Sequence, residues 1–380
     1  MPYLDHAATT PLHPDVLEAM LPWLQGGFGN ASSLHRDGRR ARGAVEDARR
    51  RIARHLNAEP AQIVFTSGGT EADNLALRGT VGRGQALVTS EAEHEAVLKT
   101  ADALEADGRT VVRLRPDDAG AVSPALLART LAAMPRVALV SLMHANNETG
   151  VLADLPALVA AAHDAGALFH TDAVQSAGLL PLDVQALGVD LLSASAHKFY
   201  GPKGVGLLYV APGVDLDPLV TGGAQERGRR GGTENVAGIV GMAHALDLAA
   251  KRRDETNARL LAMRQRLLNR LTEALGDRFV LNTPLHRSIP SVLNLAFPPN
   301  PSPLDAEMLI LGLDLEGVSA SAGSACTSGA LTPSHVLLAL GLPRETAAAA
   351  VRFSLGSSTT EADVDAAADA LVRVLARVNR

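Results

Sequence analysis

The sequence predicts an α/β fold: a mostly parallel sheet with helices on both faces, followed by a smaller α+β unit. Three observations carry the prediction. Short apolar runs bounded by Gly, Pro and polar residues recur at 63–65, 86–89, 137–143, 168–170, 189–192 and 205–210. Ala-rich stretches of helical periodicity, such as 155–164, lie between them, and strand alternating with helix implies parallel pairing through crossovers. A long Arg-rich amphipathic stretch, 243–275, then ends the alternation. Beyond it come a strand at 291–297, a Pro-rich connection at 298–303, a strand at 351–355 and a last helix from about Glu361. At 380 residues, two domains are expected.

The first helix with a clear pattern is 39–56, where apolar positions at helical spacing interleave with arginines and with Glu46 and Asp47. It reads as a solvated basic face and takes no ligand. The strand at 63–65 runs into Thr66-Ser67-Gly68-Gly69-Thr70-Glu71, glycines and a Thr cap ahead of a helical run. Free backbone N–H groups and a positive dipole end at Gly69 and Thr70 make a phosphate cradle, although a plain capped helix start has the same letters. After the next strand, Glu91-Ala92-Glu93-His94-Glu95 puts carboxylates and an imidazole side by side rather than on one helical face, so no metal is expected. His94 just past a strand end suits a ring stacked on a flat ligand, or a proton carrier.

The strand at 137–143 closes with His144-Ala145-Asn146-Asn147-Glu148-Thr149-Gly150, and the one at 168–170 runs into Thr171-Asp172. A carboxylate at the end of an apolar strand demands a cation, either an Arg or a protonated pyridine nitrogen. Lys198, in Ser193-Ala194-Ser195-Ala196-His197-Lys198-Phe199, lies between two apolar runs. Desolvation there lowers a lysine pKa, as Schiff-base chemistry requires, while a lysine at a strand end reaching into water is the plainer alternative. Arg227-Gly228-Arg229-Arg230-Gly231-Gly232-Thr233 is also basic and Gly-rich, suited to grip a phosphate, with a solvated loop as the plainer alternative. The single cysteine, Cys326, excludes disulfides and CxxC pairs, and its Gly/Ser-rich neighbours are loop rather than core.

The net charge of −6 argues against nucleic acid, and no apolar run reaches the length of a membrane span. The start, Met1-Pro2-Tyr3-Leu4-Asp5, shows no signal-peptide pattern, so a cytoplasmic location is expected.

Together the strand ends offer a phosphate cradle, an anion, a ring stacker and a Schiff-base lysine, the set that pyridoxal 5'-phosphate (PLP) needs. These strings, with Asp5-His6-Ala7-Ala8-Thr9-Thr10-Pro11, Asp172-Ala173-Val174-Gln175-Ser176, Arg230-Gly231-Gly232-Thr233, residues 323–328 and Val351-Arg352-Phe353-Ser354-Leu355-Gly356, span nearly the whole chain. The chain resembles the cysteine desulfurases of aminotransferase class V that have a long cysteine loop. The resemblance implies PLP fold type I: a large domain at 14–250 with a mostly parallel seven-stranded sheet, and a small domain of 1–13 and 251–380. It implies that Lys198 is the Schiff-base lysine, that Asp172 pairs with the pyridinium and that Gln175 meets the ring hydroxyl. Gly69, Thr70, Ser195 and His197 would hold the phosphate, with Thr233 reaching over from a second subunit of a homodimer. His94 would stack on the ring and pass protons, and Asn146 would touch both cofactor and substrate. Arg352 and Asn30 would hold the substrate carboxylate with Asn146, and Cys326 would be the nucleophile that takes sulfur from L-cysteine, leaving L-alanine. A sulfur acceptor or iron–sulfur scaffold protein is the implied partner.

The sequence departs from the family pattern in three places. His6 stands where an asparagine is common, Ala31 where a proline is usual, and no scaffold-docking tail is expected after the last helix before Arg380. Alternatives are a selenocysteine lyase or sulfinate-acting relative, a class V aminotransferase with no use for Cys326, and an inactive PLP-binding scaffold.

Overall fold

The computed structural model describes residues 1–82, 85–300, 303–322 and 332–378. The larger sheet has seven strands: β1 (Ile63–Thr66), β2 (Ala86–Ser90), β3 (Thr110–Leu114), β4 (Val137–Ser141), β5 (Leu168–Asp172), β6 (Leu191–Ser195) and β7 (Gly206–Val210). Their order is β1-β7-β6-β5-β4-β2-β3. All neighbours from β6 to β3 are parallel, while β7 runs antiparallel to both β1 and β6. The fold is therefore the predicted α/β class, with a mostly parallel sheet.

The inner strands are mostly apolar because helices cover both faces. Side chains alternate across the sheet: Val64, Leu87, Leu139, Leu191 and Leu208 enter one cluster, and their neighbours Phe65, Val88, Val140, Leu192 and Tyr209 enter the other. Each fully buried Leu or Phe contributes about 1.5–3 kcal/mol. The carboxyl ends of β1, β2, β4, β5 and β6 share one edge, and the chain leaves that edge through the segments singled out from the sequence.

A second sheet is antiparallel, ordered β10-β9-β8, from β8 (Val280–Leu281), β9 (Val292–Ala296) and β10 (Ala350–Ser354). Helices Ala306–Leu315 and Glu361–Val378 belong to this part. Leu4 is buried in its core with Leu293, Phe353 and Leu371, and the N-terminal segment bridges to Ser319 and Ser354. The helix Val236–Leu275 joins the two cores: Ile239, Met242 and Leu246 pack in the first, Leu260, Leu267 and Leu271 in the second.

That helix begins at Val236 rather than at the predicted 243. Its early glycines conceal the periodicity, and Gly241 is a packing glycine: a Cβ there would lie 2.7 Å from the Met20 sulfur. β6 also runs further than the apolar run at 189–192 suggests. Ser193, Ala194 and Ser195 continue it, all buried, because small polar side chains fit the sheet's interior where partners meet them. Two elements carry no clear sequence pattern: β3, a half-exposed edge strand interrupted by Arg113, and the helix Ala306–Leu315.

Candidate active site

At the carboxyl edge of the sheet lies a cavity of about 250 Å³ lined by Gly69, Thr70, Asp73, His94, Asp172, Gln175, Ser195, His197 and Lys198, among others. These residues come from β1, β2, β5 and β6 or the segments just past them, so the strand-end logic of open α/β sheets places the site.

The phosphate cradle is the N-terminus of the helix Gly69–Thr80. Its N-cap position is Gly68, which offers no side-chain cap, so Thr70 is not the cap but a residue of the first turn. First-turn N–H groups have no intrahelical partners, and they open on the cavity together with Ser195. Two close approaches require glycine. A Cβ on Gly69 would lie 2.7 Å from the Val174 methyl, and one on Gly206 would lie 2.7 Å from the Gly68 Cα. The start of β7 thus braces the cradle.

Lys198 ends the single turn Ala196–Lys198 between β6 and β7. Its Nζ donates to the Ala7 carbonyl at 2.6 Å and to the Ala8 carbonyl at 2.8 Å. Burial, aided by the Arg352 guanidinium, brings its pKa down to about 8, against the pull of Asp172 and Asp5. The N-terminal motif is therefore a lid of carbonyls on the lysine, and Gln175 Nε2 donates to the Ala7 carbonyl as well.

Asp172 ends β5 and accepts the Val174 N–H at 2.8 Å. Burial pushes its carboxyl up, opposed by His94, the Val174 N–H and Lys198. His94 sits at the cavity rim, open to solvent on one side, and its Nδ1 caps the helix Glu95–Ala106 by accepting the Ala96 N–H. That bond fixes a neutral ring with its proton on Nε2, and desolvation lowers its pKa. His197 Nδ1 meets the Thr9 hydroxyl at 3.1 Å, and burial plus the neighbouring Lys198 and Lys203 bring it to about 4.

Four expected residues are not in the cavity wall. Asn146 is consumed by its own turn: Nδ2 donates to the Ala92 carbonyl, and Oδ1 accepts the N–H groups of Glu148 and Thr149. Its neighbour Asn147 lines the cavity instead, with Oδ1 buried and unpartnered. Arg352, on β10, stands one hydrogen bond behind: NH1 donates to the Asn147 carbonyl at 2.7 Å and NH2 to Asp5 at 2.9 Å. Its Nε is buried with no partner. Asn30 is exposed, its Oδ1 accepting the Ser32 N–H, and Thr233 is exposed beside Ser67, Gly204 and Arg230. Cys326 lies outside the described residues. Sequence reasoning also passes over Asp73 and Glu93, both fully buried here, because polar letters at a helix start read as solvated.

The aminotransferase class-V family profile matches residues 2–367. The chain belongs to the class V aminotransferases. Within that family it is 44% identical over 380 residues to "Cysteine desulfurase IscS" of Dictyoglomus turgidum, covering 99% of this chain and 95% of the relative. It is 43% identical over 381 residues to "Putative cysteine desulfurase IscS 1" of Bacillus subtilis, with 99% of each covered. A solved "NIFS-LIKE PROTEIN" superposes with a TM-score of 0.90 at 34% identity, covering 99% of both chains. The NifS-like protein from Rickettsia africae gives 0.89 at 29%, again over 99% of both.

Proposed function

We propose that the protein is a cysteine desulfurase that binds PLP, converts L-cysteine to L-alanine and leaves the sulfur on Cys326 as a persulfide. It acts as a homodimer and hands the sulfur to an acceptor protein, for iron–sulfur clusters. The observation that carries the reading is Lys198, its pKa lowered to about 8, facing a cavity that also holds the buried Asp172 and a free helix N-terminus. PLP fits the donors there: free N–H groups for its phosphate, a buried carboxylate short of a cation for its ring nitrogen, and an amine for its aldehyde.

When bound, PLP supplies a carbonyl that condenses with amines and a cationic ring that draws electrons from the substrate Cα. Lys198 Nζ would hold it, and an amine at that place can move a proton at the substrate carbon. Asp172 keeps the ring nitrogen charged. His94 covers the ring and carries a proton at Nε2. Gln175, Thr70, Ser195 and His197 fix its orientation, and the partner subunit completes the phosphate site through the loop that carries Thr233. The exposure of Thr233, and of Phe28 (88%) and Leu34 (81%), supports a surface covered by a second copy. Asn147, in place of Asn146, orients the substrate carboxylate, and Arg352 supports it from behind through the Asn147 carbonyl. The Cys326 thiolate bonds to the substrate sulfur; the C–S electron pair stays with carbon, which takes up a proton and leaves as alanine.

The test is the absorption spectrum of the purified protein. The expected result is a yellow protein whose chromophore borohydride fixes onto Lys198, and which forms alanine from cysteine. A protein that stays colourless with added PLP overturns the proposal.

A further inference from the structure

Beneath Asp172 the sheet contains a polar network that the catalytic roles above leave unused. His170 is wholly buried, two residues before Asp172 on β5 and on the same face. Its Nδ1 meets the Ser141 hydroxyl at 2.9 Å and its Nε2 meets the Ser193 hydroxyl at 2.9 Å. Ser193 pairs with Asp172 in the strand register, and its hydroxyl favours the ionised form of the Asp73 carboxyl. Asp73, in the cradle helix, is 1% exposed and lines the same cavity as Asp172. Its Oδ1 has no hydrogen-bond partner and lies 3.7 Å from His170 Nε2.

Two carboxyls buried in one small cavity do not both ionise at neutral pH. We propose that Asp73 is a second acid of the ring-nitrogen site, which holds a proton beside the ionised Asp172 and is positioned by the buried chain Ser193–His170–Ser141. This rests on the PLP reading of the cavity. The chain consists of two hydroxyls and one imidazole, each able to donate or accept. It can end as a donor to an ionised Asp73 or as an acceptor from a protonated one, and because the hydrogen bond to a charged acceptor is the stronger of the two, Ser193 favours the ionised form.

The groups facing this pair are few. His94 and Lys198 approach Asp172 from the rim and from the turn after β6, and Glu93 approaches both acids from the segment after β2. Glu93 accepts the Met143 N–H on one oxygen, and burial keeps its carboxyl well above the ordinary range. Burial and Asp172 push Asp73 up in the same way, while burial brings His170 to about 3, a neutral imidazole. Asp172 has its Val174 N–H and two facing bases, so the anion rests there and the proton on Asp73. Raising the pH strips that proton and puts a second negative charge beside the ring.

The experiment is infrared difference spectroscopy of the PLP holoenzyme across a pH titration, in wild type, Asp73→Asn and Ser193→Ala, with the cofactor absorption followed in parallel. A wild type that never binds PLP fails the underlying reading instead, so the two failures are distinguishable. A protonated carboxyl has a C=O stretch that a carboxylate lacks. At neutral pH the wild type should show one such band that is missing in Asp73→Asn, while the variant keeps its cofactor, because the amide stands in for the neutral acid. Glu93 gives a band common to both proteins, which cancels in the difference. Ser193 donates to the ionised form of Asp73, so Ser193→Ala should raise the pH at which the band disappears by about one unit, a tenfold gain in proton affinity. Absence of any band difference between wild type and Asp73→Asn overturns the proposal. So does loss of cofactor at neutral pH in a folded Asp73→Asn, which puts the anion on Asp73. If Asp73→Asn fails to fold, Ser193→Ala decides alone: an unmoved midpoint overturns the proposal.

Discussion

Replacing Arg352 by lysine keeps the charge and removes the fork. In the structure the guanidinium is 4% exposed and spans two acceptors, the Asn147 carbonyl and Asp5. A single ammonium on a flexible stem cannot meet both, so Asn147, which lines the cavity, loses its support. A hydrogen bond to a charged group is worth about 1.5–3 kcal/mol, so losing one donor corresponds to roughly ten- to hundredfold in substrate affinity. Neither acceptor lies in the phosphate cradle or on Asp172, so the cofactor should be unaffected. The assay is steady-state kinetics with L-cysteine, alongside the spectrum of the resting enzyme. The expected outcome is a KM raised by about ten- to hundredfold with an unchanged resting spectrum. An unchanged KM would remove Arg352 from substrate binding; a lost chromophore would make it a structural residue of the cofactor site.

Two further perturbations probe the same geometry. Asn147→Ala should weaken substrate turnover in a protein of normal thermal stability, whereas Asn146→Ala, which strips the turn of its bonds to Ala92, Glu148 and Thr149, should lower the melting temperature; paired melts and kinetics check this. Because Lys198 has a pKa of about 8, its free amine fraction, and with it the rate at which apoprotein captures PLP, should rise about fivefold from pH 7 to 8 and level off above. An ordinary lysine would keep gaining about tenfold per pH unit up to about pH 9 and level off only above about pH 10; stopped-flow absorbance separates the two.

The strand ends are legible because buried parallel strands are written as short apolar runs, and the residues just past each run are where chemistry collects. Lys198, Asp172 and the Gly68-Gly69 turn stand out in that way. The choice between Asn146 and Asn147 does not. Adjacent identical residues point to opposite sides of a turn, and only the turn's own hydrogen bonds decide which one is consumed. The burial of Asp73 and Glu93 is hidden for a different reason: acidic letters beside a helix start carry no mark of the sheet that buries them. Asn30 and Thr233 are exposed and lie outside the cavity wall, which no local pattern in the sequence indicates.

The central claim is that sulfur passes through Cys326. It is the chain's only cysteine, so a protein persulfide can form nowhere else. The direct measurement is mass spectrometry of the holoenzyme after brief exposure to L-cysteine, with Cys326→Ser alongside. Wild type should gain one sulfur atom on the peptide carrying Cys326, and the mutant should bind cysteine, shift its spectrum and release almost no alanine. A mutant that forms alanine and sulfide at close to the wild-type rate would contradict the account.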